Sequence, residues 1–567
     1  MAKNLSFLRR TALYGSTAAF ALGMGGMSAY AQDADVDDDS VEEVVVTGTR
    51  ISNPNLSQSS PVAVVSGEDI EYRQANTIEE VLREIPGVVP SIGAQVNNGN
   101  AGSTTLNLRG LGDNRNLTLL NGIRIVPAGL DGVSNLDVIP VALIERADIL
   151  TGGAGSTYGA DAISGVANFI TKTDFEGLDF RISDQITQDG DANTLRIDLT
   201  TGANFADGRG NAVLSVGYTS REALFQGSRA FGESNLSSVS GAAGGSGTTV
   251  PARISVAGTN SGTLQVSPDG GSLVPTYALF NFNPFNLFQL PLEQFRIYGS
   301  ANYKLADSVE AYSEALFVQS TNSTIIAPSG SFGEVLSTPL SNPFLNAGLR
   351  NQICGFDTNS TVDGVQPLYT QAQCDAAALA TDPNDPNYRT ADLVVSRRFV
   401  ELGTRNNEYQ TTLWQLKAGL RGDITDNIAF DIVSAYGESE VRSQQSGNGI
   451  LSRLQQAVLA TSPTECLDPT GGCVPINLFG PEGSITPEVA AFLDVGNSAA
   501  TLTSLGQIQA FITGDVGVAV PFAETPINFV LGSEYRRYTA STQSDLLSQT
   551  PGEVLGNGAA NPNSTGS

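Results

Sequence analysis

Beyond residue 172, apolar and polar residues alternate with a period of two, which predicts β-strands with one apolar and one polar face. One such run spans 295–305, where Phe295 and Ile297 flank Arg296. Comparable runs cover 309–318, 414–421, 428–436, 507–518 and 527–536. Each run has about the ten residues that a tilted strand needs to cross a bilayer.

The connections between these runs differ in length in a regular way. Short turns occupy 306–308, 422–427 and 521–526, whereas segments rich in Gly, Ser and Asn fill 227–292, 324–392 and 444–504. Short turns on one side and long loops on the other are typical of a transmembrane β-barrel. A soluble β-sandwich is the alternative, but its turns would not alternate in length so regularly. The pattern predicts about nine to eleven barrel strands within 173–541.

Residues 61–85 carry a different pattern, that of a short strand followed by a helix. The segment 61–66 is apolar and β-branched, which favours a strand. A helix is predicted over 77–85, with Asn76 as its N-cap and Glu79 closing a capping box, and a Pro-Gly pair follows it. Its predicted apolar face comprises Ile78, Val81, Leu82 and Ile85.

Two further β-signals follow the helix. Residues 106–112 alternate as a strand does and end in glycines. Asn121-Gly122 separates two apolar runs at 117–120 and 123–126. Because both positions of a two-residue hairpin turn favour residues that tolerate positive φ, Asn-Gly predicts a tight hairpin.

Residues 144–172 combine two apolar runs with a glycine-rich centre. The runs 147–150 and 166–170 are predicted strands, and one helical turn is expected over 156–160. A strand followed by glycines and a helical turn can also cradle a phosphate. Tyr158 stands where a dinucleotide fingerprint needs its third glycine, and no GKS or GKT occurs. Nucleotide binding is therefore disfavoured.

Composition narrows the class of protein. The chain has 567 residues, only 16% of them charged, and 61 glycines. No apolar run outside the first 31 residues approaches the roughly 20 that a membrane helix needs. The net charge of −28 argues against nucleic acid as a partner. There is no His, which removes the commonest general base and the commonest transition-metal ligand.

The four cysteines form two local pairs within the long connections. Cys354 lies near Cys374, and Cys466 lies near Cys473. Neither spacing is a CxxC motif, and without His a zinc site would need all four residues from distant loops. Local disulfides in an oxidising compartment are the preferred interpretation.

The first 50 residues divide into three segments. Residues 1–31 combine a basic start, an apolar centre and a small-x-small end, as a secretory signal does. The acidic stretch that follows is typical of a solvated tether. Three consecutive valines at 44–46 then predict an extended segment that can pair with the edge of a partner's sheet. The first strand of the next domain is the alternative.

In this order, the motifs resemble those of TonB-dependent outer-membrane receptors. The resemblance rests on EEVVVTGTR at 42–50, IPGV at 85–88, LRG at 108–110, LLNGIR at 119–124 and the glycine-rich stretch 144–172. It implies a TonB box comprising Glu42, Glu43, Val44, Val45, Val46, Thr47, Gly48, Thr49 and Arg50. It also implies a set of plug motif residues comprising Arg109, Gly110, Asn121, Gly122, Gly152, Tyr158, Gly159 and Gly165. In the family, the residue at the position of Arg109 faces the barrel wall.

The implied fold is mainly β, with a small α+β plug domain inside a transmembrane antiparallel β-barrel of the 22-strand receptor type. The expected division is a signal peptide at 1–31, an acidic linker with the TonB box at 32–57, the plug domain at 58–172, and barrel strands with long extracellular loops at 173–567. With about nine to eleven strands, the barrel is expected to be incomplete and the chain to be a fragment. Its open edges would expose unpaired backbone groups to lipid.

The resemblance implies active import of a scarce nutrient, such as a siderophore, glycan or peptide, across the outer membrane of a Gram-negative bacterium. The implied partners are TonB, outer-membrane lipid and an unknown nutrient ligand. It implies no cofactor, metal, catalytic residue or nucleic acid. The alternatives are a passive outer-membrane channel or adhesin barrel and, less favoured, a secreted β-rich glycosidase that uses paired carboxylates.

Overall fold

The computed structural model describes residue 47 and residues 62–359, 361–521, 526–557 and 560–567. The predictions for the signal peptide, the acidic linker and every box residue except Thr47 lie outside these residues. Strands and helices are numbered below in chain order. Within the described ranges, no helix is both long enough and apolar enough to cross a membrane.

The first compact region is a five-stranded mixed sheet with short helices. Its strands are β1 (Val62–Ser66), β2 (Asn116–Leu120), β3 (Ile123–Arg124), β4 (Ile144–Thr151) and β5 (Gly165–Thr171). The order is β1-β4-β5-β2-β3, in which β2 and β5 run parallel and the other neighbours run antiparallel. The helices are α1 (Gly67–Tyr72), α2 (Ile78–Leu82) and α3 (Gly155–Tyr158), with 3-10 turns at Asp113–Arg115, Leu136–Val138, Val141–Leu143 and Ala160–Ala162.

Helix α2 is the helix predicted at 77–85, but its cap differs from the prediction. Its N-cap is Thr77, whose side chain makes no capping hydrogen bond, so Asn76 as N-cap with a Glu79 capping box is wrong. The Asn76 amide instead donates to Gln185 Oε1 at 2.6 Å, because a neighbouring strand competes for it. The predicted apolar face is confirmed, since all four of its residues are at most 8% exposed.

The strand predicted at 106–112 is also wrong. Leu108 forms one isolated bridge with Val88, and the chain then turns at Arg109 and Gly110, both with positive φ. The Asn116 side chain accepts from the Leu108 backbone N–H and donates to the Leu106 carbonyl, so it replaces a strand partner. The alternation in this segment reflects burial of two leucines rather than strand pairing.

The hairpin predicted at Asn121-Gly122 is confirmed. Strands β2 and β3 pair antiparallel on either side of it, and the two turn residues have φ of 48° and 74°. Positive φ at both positions is the requirement that selects Asn-Gly for such a turn.

The second region is a ten-stranded antiparallel sheet. Its strands are β6 (Gly177–Gln185), β7 (Thr194–Phe205), β8 (Gly210–Arg221), β14 (Leu292–Ala306), β15 (Val309–Ile326), β18 (Arg405–Thr425), β19 (Ile428–Ser446), β20 (Asn497–Asp515), β21 (Asn528–Ser544) and β22 (Ser564–Gly566). They pair in that order, with β6 and β22 at the two edges, so the sheet is open over the described residues. The predicted mainly β fold and its strand count are confirmed.

The two faces of this sheet differ as the alternation predicts. On the inner face, Tyr298, Val318 and Leu413 are buried and join the same apolar core as the first region. On the outer face, Ile508 and Leu531 are 52% and 69% exposed. A sheet that is apolar on the side away from its core is typical of a strand wall in contact with lipid.

The long connections form a compact assembly that the sequence analysis treated as loops. We call it the cap and define it as residues 224–291, 327–404 and 447–496. A second five-stranded sheet, in the order β12-β11-β10-β17-β16, packs with helices around its own apolar core. The cap strands are β9 (Leu224–Phe225), β10 (Arg253–Val256), β11 (Leu264–Val266), β12 (Leu273–Pro275), β13 (Leu287–Gln289), β16 (Gly330–Pro339) and β17 (Thr390–Arg398). The cap helices are α4 (Ala347–Gly355), α5 (Gln371–Leu379), α6 (Leu451–Val458) and α7 (Pro487–Leu493), and α8 (Leu546–Gln549) follows β21.

Candidate functional site

The glycine-rich motif links β4, α3 and β5 through backbone geometry that requires glycine. Gly165 has φ of 153°, and a Cβ there would overlap the Leu150 carbonyl oxygen and lie 2.5 Å from Leu108 Cδ1. Gly159 ends α3 with φ of 89°, and Gly152 is buried in a bend after β4. The motif therefore holds two neighbouring strands closer than any side chain would allow.

Arg124, which the sequence analysis did not single out, clamps this motif. Its guanidinium donates from Nη1 to Asp161 Oδ2 at 2.6 Å and from Nη2 to the Tyr158 carbonyl oxygen at 2.5 Å. Its Nε lies 3.9 Å from Glu534 Oε1 on β21 of the large sheet. In the sequence, Arg124 could have been found from its position two residues after the Asn-Gly turn.

The remaining predicted plug residues divide between internal and wall contacts. Arg109 donates from Nη2 to the Thr151 carbonyl oxygen at 2.6 Å, a contact within the plug region rather than with the barrel wall. Gly110 follows it with φ of 69°. Asn121 donates from Nδ2 to Thr171 Oγ1 at 2.9 Å and to the Tyr298 hydroxyl at 3.2 Å, so the hairpin tip touches the large sheet.

Thr47 is the member of the predicted box that the structure describes, and it is docked on the five-stranded sheet. It is 2% exposed, and its hydroxyl donates to Asp148 Oδ2 at 2.7 Å. Asn168 donates from Nδ2 to Thr47 Oγ1 at 3.1 Å and accepts from the Gly122 backbone N–H at 3.0 Å. This chain of contacts links Thr47 to the Asn-Gly turn.

Polar side chains of the large sheet hold the first region by its backbone carbonyl groups. Five such donors come from three strands of the sheet, β14, β18 and β20. Gln415 and Gln507 donate to the Arg124 carbonyl oxygen at 3.1 and 2.9 Å. Thr503 donates to the carbonyl oxygen of Pro127 at 2.5 Å, Gln294 to that of Asp137 at 3.0 Å, and Arg296 to that of Ile139 at 3.2 Å. Water can take the place of such hydrogen bonds at little enthalpic cost.

Opposite charges are also buried between the two regions. Asp137 and Glu79 belong to the plug region, and Arg221 ends β8 of the large sheet. Burial raises the pKa of Glu79 to about 6 and raises the pKa of Asp137. Neither terminal nitrogen of Arg221, nor Asp137 Oδ2 or Glu79 Oε2, has a hydrogen-bond partner among the described residues. These unsatisfied groups store electrostatic energy at the interface.

A cavity of about 600 Å³ lies where the first region, the large sheet and the cap meet. We call it the apical cavity. The plug region supplies the loop 97–101, the sheet supplies Asn407 and Tyr409, and the cap supplies Phe332 and Arg398. Concave sites of this size are where small ligands bind.

Two arginines dominate the charge of the apical cavity. The Arg398 guanidinium lies 4.9 Å from the ring centre of Phe280 and 5.0 Å from that of Phe332, and the Arg405 guanidinium lies 5.4 Å from the ring centre of Phe332. Burial, and then the nearby Arg405 charge, lower the pKa of Arg398 to about 10. Cation–π contacts stabilise both cations, but no described carboxylate forms an ion pair with either. The sequence could not reveal this site, because its parts are up to several hundred residues apart.

The cysteines pair within the cap, in the local arrangement that the sequence analysis preferred. Cys354 on α4 is joined to Cys374 on α5, and Cys466 to Cys473, each with a Cα–Cα distance of 6.2 Å. Among the described residues, no group of three or more His, Cys, Asp or Glu side chains is arranged to hold a metal ion.

Comparison with known families gives one match. Residues 54–166 match the model of the TonB-dependent Receptor Plug Domain. This range overlaps the region predicted as the plug and contains the Arg124 clamp, the hairpin and most of the glycine-rich motif.

Comparison with solved structures matches the chain to a variant of the ferric enterobactin receptor PfeA from Pseudomonas aeruginosa, with 14% identity and a TM-score of 0.39. The match covers 86% of this chain and 56% of that one. The siderophore receptor PirA from Acinetobacter baumannii has 14% identity, a TM-score of 0.43, and coverage of 87% and 50%. The ferric preacinetobactin receptor BauA from the same organism has 14% identity, a TM-score of 0.38, and coverage of 90% and 60%. The chain thus spans 50–60% of the length of these three structures.

Proposed function

We propose that this chain, which carries the plug domain of a TonB-dependent receptor at residues 54–166, takes part in active import of a scarce nutrient across the outer membrane of a Gram-negative bacterium. Receptors of this family are transporters and not enzymes. The proposed substrate classes are those named from the sequence, namely siderophores, glycans and peptides.

The observation that carries the proposal is the way the plug domain sits against the large sheet. Wall side chains reach plug carbonyl groups at Arg124, Pro127 and Ile139 through single hydrogen bonds. Apolar contacts with Tyr298, Val318 and Leu413 add to these hydrogen bonds, so the plug fills the space inside the sheet. A gate needs such a plug, and hydrogen bonds of this kind can be exchanged for bonds to water when it moves.

We further propose that residues 42–50 are the segment that engages TonB by adding a strand to its sheet. Thr47 supports this proposal, because its side chain bonds to Asp148 and Asn168 of the plug sheet. Release of the segment would then be the step that exposes it to TonB and couples a pull on the box to the plug.

The proposed location is the outer membrane, reached through the signal peptide at 1–31, with lipid against the outer face of the large sheet. The exposed Leu531 and Ile508 on that face support a lipid contact. The proposed domain division is the linker at 32–57, the plug domain at 58–172 and the strand wall with its cap at 173–567.

A TonB-dependence assay tests the function. The full chain is expressed in a Gram-negative host with and without a functional TonB gene, and uptake of a panel of ferric siderophores and labelled oligosaccharides is measured. We expect at least one probe to accumulate only when TonB and the proton-motive force are present. Equal accumulation without TonB would instead identify the passive channel that remains the second candidate.

A further inference from the structure

We propose that the apical cavity binds an acidic saccharide, that is, a sugar chain bearing carboxylate or another compact anionic group. This inference rests on the proposed import function and names the substrate class of its binding site.

The anionic group is assigned to the end of the cavity formed by Arg398 and Arg405. Arg398 is 3% exposed; its Nη1 donates to the Pro328 carbonyl oxygen at 2.8 Å and its Nη2 to Ser246 Oγ at 2.7 Å, whereas its Nε has no hydrogen-bond partner among the described residues. Arg405 donates from Nε to the Ala327 carbonyl oxygen at 2.9 Å, whereas its two terminal nitrogens have no partner in the described part of the chain. Guanidinium groups with unused N–H donors fit a carboxylate in a bidentate arrangement.

The cavity contains no group that already neutralises these cations. Among its described lining residues there is no Asp or Glu. This contrasts with the strongly acidic chain as a whole, whose net charge is −28. One buried and one half-buried cation without a counter-ion are costly, and a bound anion would reduce that cost.

Much of the remaining lining is neutral and polar, which fits the hydroxyl groups of a sugar. Five asparagines lie around the cavity; the amides of Asn97 and Asn100 bond to backbone groups, and Asn98, Asn286 and Asn407 complete the set. An amide both donates and accepts hydrogen bonds, as a sugar hydroxyl does, so the two groups pair in either direction. A second cavity of about 330 Å³ shares Ala101 and Tyr409 with the first and continues the polar lining with Ser and Thr side chains.

Aromatic rings complete the resemblance to a saccharide site. Phe282, Phe332 and Tyr409 line the apical cavity. The C–H faces of a sugar ring can pack on such rings, while its hydroxyl edges reach the amides. An elongated ligand would thus hold one carboxylate between the arginines and extend its remaining rings toward Tyr409 and the second cavity.

Binding of trigalacturonic acid to the full chain in detergent, measured by isothermal titration calorimetry, tests the proposal. Its neutral methyl ester and citrate serve as comparison ligands, one lacking the charge and the other lacking the sugar. We expect the acid to bind at least about tenfold more tightly than either, the size of one charge-assisted hydrogen bond. Equal binding of the ester or of citrate, or no binding of the acid, would overturn the proposal.

Two variants locate the site. Arg405→Gln removes the charge, and Asn98→Asp adds an opposing charge on an exposed side chain, where it does not disturb the core. Each is expected to weaken trigalacturonate binding about tenfold or more. Arg442→Gln is the matched control, because Arg442 is exposed and paired with Glu440 outside the cavity. Unchanged affinity in both cavity variants would refute the assignment.

The inference and the proposed function can fail separately. A ferric siderophore that binds the full chain tightly while trigalacturonate does not would overturn the saccharide assignment and leave TonB-dependent import in place. Tight trigalacturonate binding combined with TonB-independent uptake would support the site and contradict active import.

Discussion

Replacing Thr47 with valine should release the box segment from the plug sheet. The Thr47 hydroxyl donates to a buried carboxylate oxygen of Asp148 at 2.7 Å, and Asn168 donates to it at 3.1 Å. Both partners in the first contact are at most 3% exposed. Valine keeps the β-branched shape of threonine and its preference for extended backbone. The backbone pairing proposed between the box and TonB should therefore survive the change.

The magnitude follows from the kind of bond that is lost. A hydrogen bond to a charged group contributes about 1.5–3 kcal/mol, which corresponds to a factor of about 10 to 150 in the docking equilibrium. If docking hides the box, only molecules in the released state can bind TonB. The apparent affinity for TonB then equals the intrinsic affinity multiplied by the fraction of molecules in the released state. Thr47→Val should therefore raise that affinity, by up to the same factor.

The assay is biolayer interferometry of the full chain in detergent against the purified periplasmic domain of TonB. Asp148→Asn weakens the same contact from the plug side without altering the box, and should change the affinity in the same direction. Thr49→Val controls for loss of a hydroxyl from the box. Unchanged or weaker TonB binding by both Thr47→Val and Asp148→Asn would refute docking as a restraint on the box.

Four further outcomes are expected. Gly165→Ala should destabilise the full chain by about 2–4 kcal/mol, seen as a lower Tm, because a Cβ has no room there, whereas Gly155→Ala, with open space around it, should be near neutral. Burial raises the pKa of Glu79 from an ordinary value of 4.5 to about 6, so the folded state holds this proton more tightly than the unfolded state does. The free energy of unfolding should therefore fall as pH rises from 4.5 to about 6. A pH profile of Tm that is unchanged in Glu79→Gln would contradict this. Mass spectrometry of non-reduced peptides should find both cysteine pairs of the cap disulfide-bonded locally, and free thiols or cross-pairing would contradict that. Residues 58–172 expressed alone should be soluble with protected amides, whereas the remaining chain should need detergent; an isolated plug without protected amides would show that it depends on the wall.

The strands of the large sheet could be predicted because their environment repeats along the chain. Along each strand, residues alternate between a face toward the plug region, where Arg296 is buried, and an outer face, where Phe295 is exposed, so the sequence alternates with a period of two. The Asn-Gly hairpin was predictable for a related reason, since the φ values of 48° and 74° that it needs are a local property.

Predictions failed where tertiary contacts outweighed local preference. Asn76 has the right chemistry for an N-cap, but its amide reaches Gln185 on β6 instead. The segment around Leu108 alternates like a strand, but the Asn116 side chain takes the hydrogen bonds that a partner strand would supply.

The cap and the apical cavity could not be predicted from sequence, for reasons of distance. The cap core unites residues of three separate connections, and the composition of each connection, rich in Gly, Ser and Asn, is that of an ordinary loop. Arg398 and Arg405 were unremarkable in sequence because their neighbours Phe280 and Asn98 are more than a hundred residues away. Only the fold brings them together around one space.

The most direct test of TonB coupling is capture of the purified TonB periplasmic domain by the full chain in detergent, compared between Val45→Pro and Gln58→Pro. Proline at 45 removes a backbone donor from the segment proposed to pair with TonB, whereas proline at 58 makes the same change outside the box. We expect Val45→Pro to weaken capture at least about tenfold and Gln58→Pro to leave it unchanged. Equal capture by the two variants and the unaltered chain would contradict engagement of TonB through residues 42–50.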